Sequence, residues 1–348
     1  MKVNVNKKII ITILVMSIMI LLLIGYFTLQ GILNNDSMGI QDKIPPNQNR
    51  IATDITHLDL TFLPVSDDDK NKGELVLGVY EAKSYGIIHL ETPQDLITIQ
   101  MSNTTLDELN LLLKVFYNYE EIPFQILGAD KPNTEFLFTL EGNYQIDIPI
   151  QLSEELHVNE TISRLTVGVF IAPEYFVGNN DDFSENLRAV SGLTLNYEIN
   201  YGSNDELILP TPAFEITTES EFGGFAIHSN KEPPGDGSLW FFPNSLVVTR
   251  GEEVDLTFFA NVQNTEDYVI VSMLDWVQIP MNDQPFLWVK PQNNAFNVGQ
   301  YASFTITAPD EPGFYEFLSF LVPNPIDSTS FETFAPLEMV RFTIEVVE

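Results

Sequence analysis

The sequence predicts an all-β protein: two tandem antiparallel β-sandwiches behind one N-terminal transmembrane helix. Three observations predict it. Beyond residue 50, apolar residues recur with the period of strands and almost nowhere with that of helices. Two stretches 157 residues apart, FYNYEEIP (116–123) and MLDWVQIP (273–280), repeat one pattern. Ahead of both, 21 uncharged residues from Ile9 to Leu29 follow Lys7 and Lys8 directly.

As a helix, that leader rises about 31 Å, which matches the roughly 30 Å hydrocarbon core of a bilayer. Its basic flank belongs on the cytoplasmic side, so everything after Leu29 faces outward. A cleaved signal peptide is the competing reading. Such peptides carry an apolar region of about 7 to 15 residues and small residues at the cut; this run is longer, and no A-x-A-like site follows it. The expectation is a cytoplasmic tip and uncleaved anchor over residues 1–33, which makes the membrane the first partner. Residues 34–50, NNDSMGIQDKIPPNQNR, are polar with a Pro pair and read as a stalk.

Residues 51–211 are expected to form the first sandwich. Seven stretches rich in β-branched and aromatic residues are its strands: 74–80, 95–102, 109–119, 135–141, 144–150, 164–172 and 193–201. A short helix pattern occurs around Asp181 to Arg188. Pro and Gly clusters in LPTPAFEITTESEF and NKEPPGDG mark a boundary, placed near residue 212, so that 212–348 is the second sandwich. At the 157 offset, Ile97, Ile99 and Met101 fall on Val254, Leu256 and Phe258; further on the offset reads as 150, laying VGVFIAP (167–173) on FLSFLVP (317–323). FYNYEEIP and MLDWVQIP then read as one central strand occurring twice, with Tyr119 or Trp276 inside and Pro closing the strand.

The second copy resembles the immunoglobulin-like and fibronectin-type modules of bacterial surface proteins, over residues 239–348. Trp276 sits where such folds place a core Trp on strand C, and PDEPGFYEF (309–317) resembles their E to F turn, with Tyr315 as the corner tyrosine. The first copy departs from this pattern by having Leu165 opposite Tyr315, and neither copy has the inter-sheet cysteines. The resemblance implies adhesion, stalk or recognition roles and carries no catalytic residue across.

Strand alternation also exposes a contrast between the copies. The face turned away from the core carries Leu112, Lys114, Phe116, Asn118 and Glu120 in the first, and Val269, Val271, Met273, Asp275 and Val277 in the second. An apolar outward face needs a cover. Either a loop such as 278–299 or the first sandwich folds over it, which is the commoner fate, or Val269, Val271, Met273 and Val277 form a partner interface.

Composition narrows the function. Against 49 Asp and Glu stand 16 Lys and Arg, a formal charge of −33, which repels phosphate backbones and excludes nucleic acid as a partner. With 25 Phe and 12 Tyr the chain has ample material for packed cores, and with no Cys it has neither disulfides nor thiolate chemistry. No nucleotide loop, hydrolase elbow or histidine metal spacing occurs; His57, His89, His157 and His228 are scattered. Asp67, Asp69 and Asn71 begin a calcium-loop pattern, but Lys72 and Gly78 stand where such a loop needs Gly and Glu, so calcium is a candidate only for a looser oxygen cage, and otherwise no cofactor is expected. Trp288, with Asp283 and Gln284 nearby, is the candidate for stacking on a sugar ring, and Asn35, Asn103 and Asn159 begin N-x-S/T triplets. These features point to a single-pass extracellular protein that presents its sandwiches to an unknown protein or glycan without catalysis. A carbohydrate-binding surface protein is the alternative. An envelope hydrolase with unidentified acids is the third reading.

Overall fold

The computed structural model describes residues 55, 58–83, 86–92, 94–152, 163–176, 192–200, 214–220, 224–228, 245–261, 267–291, 299–323, 325 and 339–348. The anchor, the stalk, the helix pattern at 181–188, the boundary near residue 212, Asn35 and Asn159 lie outside the described residues. Among the described residues, no helix is long and apolar enough to cross a membrane.

Among the described residues, the regular secondary structure is all strand. In chain order the strands are β1 (Thr61–Pro64), β2 (Leu75–Val79), β3 (Ala82–Lys83), β4 (Ile87–His89), β5 (Ile97–Asn103), β6 (Leu109–Tyr117), β7 (Glu120–Glu121), β8 (Phe124–Ile126), β9 (Phe136–Leu140), β10 (Tyr144–Leu152), β11 (Ser163–Ile171) and β12 (Gly192–Asn200). They continue with β13 (Phe214–Ser220), β14 (Gly224–His228), β15 (Ser245–Thr249), β16 (Glu253–Asn261), β17 (Tyr268–Leu274), β18 (Val277–Gln278), β19 (Leu287–Pro291), β20 (Gly299–Thr307), β21 (Gly313–Pro323) and β22 (Met339–Val347). All seven strands expected in the first half are present, as β2, β5, β6, β9, β10, β11 and β12. The added ones, β1, β3, β4, β7 and β8, are two to four residues long, too short to show a period.

Alternation builds the first core. A five-stranded sheet ordered β1-β10-β5-β2, with β8 also on β10, lies over a seven-stranded sheet ordered β3-β4-β12-β11-β6-β7, with β9 also on β6. Ile97, Ile99 and Met101 of β5 and Ile146, Ile148 and Ile150 of β10 share one cluster with Leu111, Leu113 and Val115 of β6 and Val167 and Val169 of β11. Each such side chain contributes about 1.5 to 3 kcal/mol on full burial. On the other face of β5, Thr98, Gln100 and Ser102 are only partly buried, so one strand serves a dry side and a wet side.

The second half is a ten-stranded sheet folded on itself. β13 pairs in parallel with β19 over residues 214–217 and antiparallel with β20 over 218–220, so a single strand passes from one layer to the other. The core between the layers holds Leu256 and Phe258 of β16 and Phe304 and Ile306 of β20 together with Ile270 of β17, Phe317 and Leu321 of β21 and Phe342 of β22. Pro46 to Glu348 form one compact unit.

The repeated octapeptide is a hairpin and not a strand end, which corrects the expectation. Asn118 and Tyr119 (φ 49° and 69°) and Asp275 and Trp276 (φ 48° and 69°) all sit in the left-handed region. Each pair joins two antiparallel strands, β6 to β7 and β17 to β18, with the geometry of a two-residue primed turn. The two turns are anchored alike: Asn118 N donates to Arg164 O at 2.8 Å and Asp275 N to Glu316 O at 2.7 Å, while Ile122 N reaches Val115 O and Ile279 N reaches Ser272 O. Further along, the spacing of 150 is also corrected. Val115 pairs with Val167 and Ser272 with Ser319, so 152 residues separate equivalent positions on β11 and β21, and Leu165 matches Phe317 rather than Tyr315. The Tyr315 hydroxyl does donate to Glu311 O at 2.7 Å, the bond a corner tyrosine makes.

Candidate functional site

The most elaborate construction in the molecule is a seam where the outward face of β6 and β11 meets that of β17 and β21. Leu112 and Phe116 of β6 and Phe170 of β11 form one buried cluster with Val269, Val271 and Met273 of β17 and Leu318, Phe320 and Val322 of β21. Phe116 meets Phe320 edge-on at 5.3 Å between centroids. The turn aromatics reach across: Tyr119 packs on Phe286 at 5.5 Å, and Trp276 on Phe170 at 5.6 Å. Gly168, where a Cβ would come within 2.8 Å of the Phe170 ring, keeps this layer thin enough for the rings to interleave. Trp276 is therefore buried, as the resemblance implied, but in the seam and on a turn, not inside its own sandwich on a strand.

Polar groups cross the seam in matched pairs. Glu121 and Gln278 occupy the same place in the two octapeptides, and they bond to each other: Glu121 N donates to Gln278 Oε1 at 2.5 Å, and Gln278 N to Glu121 Oε2 at 2.9 Å. Lys114, buried on the seam face of β6, pairs with Glu121 and lies 3.7 Å from Glu135. Each half also sends an arginine to the chain of the other, at or just beyond a strand end. Arg164 Nε donates to Pro325 O at 2.9 Å, where the Tyr119 hydroxyl also donates, and Arg341 donates to the carbonyls of Ile171 and Ala172 at 2.8 and 2.9 Å and to that of Tyr175. These carbonyls lie where a ladder runs out and need a donor. Both arginines are backed by glutamates on their own sheets, Arg164 by Glu198 at 3.7 Å and Arg341 by Glu316 at 2.7 Å, and the Arg341 guanidinium lies 4.8 Å from the Trp276 ring centre. Burial pushes the Tyr119 hydroxyl far above its ordinary range, so it stays a neutral donor.

Sequence reasoning missed these arginines. Its available signal was a single Arg within each of the otherwise apolar strands SRLTVGVFI and MVRFTIEVV, in a chain with few basic residues.

The structure scatters the residues singled out from sequence. Val269, Val271 and Met273 are buried against the first half, so they are not a partner surface; the cover is the chain's own. Val277 is 61% exposed, because the turn at Asp275 and Trp276 reverses the chain and breaks the alternation that placed it with the others. Trp288 is on β19, 6% exposed and packed in the seam, with its Nε1 donating to Asp267 at 2.7 Å, so no ring face is open to a sugar. Asp283 and Gln284 belong to a separate tight turn closed by Met281 and Gln284. Asp67 pairs with Lys70 at 2.7 Å and Asp69 with Lys72 at 2.5 Å, which holds both carboxyls below their usual range. Asn71 turns to Asn143 instead, so the three do not converge on a calcium site. Among the described residues, no three His, Cys, Asp or Glu are grouped as metal ligands. Asn103 is fully buried and donates to the carbonyls of Asp107, Leu140 and Glu141, which leaves it no room to carry a glycan. A cavity of about 170 Å³ opens between Phe124 and Ile126 of β8 and Phe136 of β9, rimmed by Asp130, Lys131 and Asn133. It is smaller than the roughly 300 to 1,000 Å³ that ligand sites usually offer.

No family model matches the chain, and no curated protein matches it. Among solved structures, it is similar to the C-terminal domain of the Streptococcus agalactiae AgI/II polypeptide BspA, at 8% identity and TM-score 0.21 over 78% of this chain and 100% of that one. It is similar to the E. coli chaperone DraB at 12% identity and TM-score 0.24 over 79% and 97% of the two chains. A third similarity is to the CsuC–CsuE chaperone and tip adhesion subunit complex of Acinetobacter baumannii, at 8% identity and TM-score 0.23 over 79% and 100%. Scores this low carry no argument, and the fold rests on the strand pairing described above.

Proposed function

We propose that this is a single-pass membrane protein without catalytic activity whose tandem immunoglobulin-like sandwiches, two copies of one strand order, form one rigid extracellular head for binding a protein or an envelope component. The observation that carries the reading is the reciprocal bonding of Glu121 and Gln278 across the seam. Two sheet faces that would otherwise be apolar docking surfaces are consumed in holding the halves together. What the head offers a partner is then its outer sheets and loop ends, under a strongly acidic surface that disfavours anionic partners.

The test is a C-terminally tagged full chain in intact cells. External protease is expected to remove the tag while leaving a membrane-embedded N-terminal fragment, and surface crosslinking should capture a partner through the head. Survival of the tag would overturn the placement outside the cell. Turnover of labelled cell-wall fragments by the purified chain would overturn the non-catalytic part and favour an envelope hydrolase.

A further inference from the structure

We propose that the outward face of the five-stranded sheet binds a neutral pyranose glycan in a notch at Gly78. The outward positions of β2 are Val76 and Gly78, followed by Tyr80, whose N–H continues the pairing with β5 through Thr98 O. Val76 is 48% exposed and Tyr80 56%. Between them, a Cβ on Gly78 would find no atom within 4 Å, so neither packing nor backbone conformation requires glycine there. Glycine inside a strand weakens it and often marks the close approach of a ligand. The two flanking Cα positions are about 13 Å apart along a strand, room for one sugar ring lying on the Gly78 backbone.

The floor of the notch continues as a polar row. Gly78 pairs with Gln100, Gln100 with Asp147 and Asp147 with Thr61, stepping about 4.8 Å per strand. Gln100 Nε2 donates to the Tyr80 hydroxyl at 2.7 Å and to Asp147 Oδ1 at 3.3 Å, which fixes the aromatic ring and the amide before any ligand arrives. A pyranose presents C–H groups on its face and hydroxyl donors on its rim. The Tyr80 ring takes the first, and the Gln100 and Asp147 oxygens take the second. Asp147, neighbouring Glu81 and the net charge of −33 repel uronic and sialic acids.

This inference rests on the surface reading above only for where the ligand is met. The purified full chain in detergent micelles is titrated calorimetrically with maltotetraose, cellotetraose and tetra-N-acetylchitotetraose, with tetragalacturonate as the anionic control. At least one neutral oligosaccharide is expected to bind. Tyr80→Ala and Gly78→Val should each weaken that binding tenfold or more at an unchanged unfolding midpoint, and Gln100→Ala about fivefold. Valine favours a strand, so Gly78→Val fills the notch without loosening β2. Absence of binding by all three neutral probes, equal binding of tetragalacturonate, or binding that both substitutions leave intact overturns the proposal. A chain that binds glycan in micelles yet keeps its tag on protease-treated cells would separate the two readings, sinking the extracellular one alone.

Discussion

Replacing Arg341 with Met tests the seam at its most committed point. The guanidinium is fully buried, donates to Glu316 and to three carbonyls of the other half, and lies over Trp276. Methionine fills much of the volume but leaves the Glu316 carboxylate, 2% exposed, without its cation. Breaking a buried pair in this way costs about 3 to 5 kcal/mol. Partners lost by buried carbonyls cost about 1 to 3 kcal/mol each where water cannot replace the donor, although such losses do not add fully within one network. A destabilisation of about 4 kcal/mol or more is therefore expected for Arg341→Met, against a total of about 5 to 15 kcal/mol for an ordinary domain.

Two companions separate the charge from the hydrogen bonds. Glu316→Gln keeps every bond from Arg341 to the other half but leaves the buried guanidinium without its counter-ion, so it should cost about 3 to 5 kcal/mol, less than Arg341→Met, which loses the carbonyl donors as well. The double change Glu316→Leu with Arg341→Met removes the stranded carboxylate and should be more stable than Arg341→Met alone. The assay is urea unfolding of the full chain in mild detergent, comparing midpoints at constant slope. An Arg341→Met midpoint within about 1 kcal/mol of the parent, or a double variant no more stable than the single one, would refute the reasoning.

Three further outcomes are expected. Among the described residues the Tyr268 hydroxyl, buried in the second core, has no hydrogen-bond partner, so Tyr268→Phe should leave urea stability unchanged or raise it by about 1 kcal/mol; a loss of similar size would refute this. Asn103→Ala strands buried carbonyls where β5 and β9 end and should cost about 2 to 3 kcal/mol, and mass analysis of the chain should find Asn103 unmodified. Burial raises the hydroxyls of Tyr119, Tyr197 and Tyr268; their stabilising share is complete below the unfolded tyrosine value near about pH 10 and is lost as pH rises above it, which alkaline titration followed by ultraviolet absorbance should show as unfolding coupled to phenol ionisation.

The strands were legible because each half-buried one obeys a period of two over five residues or more, as ITIQMSN and YQIDIPIQL do. The likeness of the two octapeptides is visible in the sequence, but the turn both adopt is not. Asn-Tyr and Asp-Trp lack the glycine that announces a primed turn, so the chain reversal went unseen and Val277 was placed on the wrong face. Trp288 was misread for a related reason: LWVKP is a five-residue strand amid turn residues, and its neighbours in sequence, Asp283 and Gln284, are not its neighbours in space. The arginine crossings were beyond reach, because they join residues 161 and 170 apart whose meeting depends on how two sheets stack. The notch at Gly78 was hidden by a different fact, since only the cross-strand register shows that Tyr80, Gln100 and Asp147 share a face.

The identity of the turn residues is the sharpest remaining handle on why the octapeptide occurs twice. A bulky residue in the left-handed region costs about 1 to 2 kcal/mol relative to glycine, and both turns accept that cost at Tyr119 and at Trp276. If turn formation alone mattered, Trp276→Gly would stabilise the protein by about that amount. The seam predicts the opposite sign. Trp276 is buried against Phe170 and beneath Arg341, and removing a buried aromatic costs about 3 to 5 kcal/mol, so the net change should be a loss of about 1 to 4 kcal/mol after the strain is relieved. Tyr119→Gly should behave alike, since Tyr119 faces Phe286 and Pro325 from the other half. Gly at Asn118 relieves the same backbone strain but forfeits the bond that Asn118 Oδ1 accepts from the Arg164 amide at 2.9 Å, a loss of about 1 to 3 kcal/mol at a buried donor, so it should be neutral to mildly destabilising and milder than Trp276→Gly. Stabilisation by Trp276→Gly in urea unfolding would mean that the aromatic serves its hairpin and not the joint between the sheets.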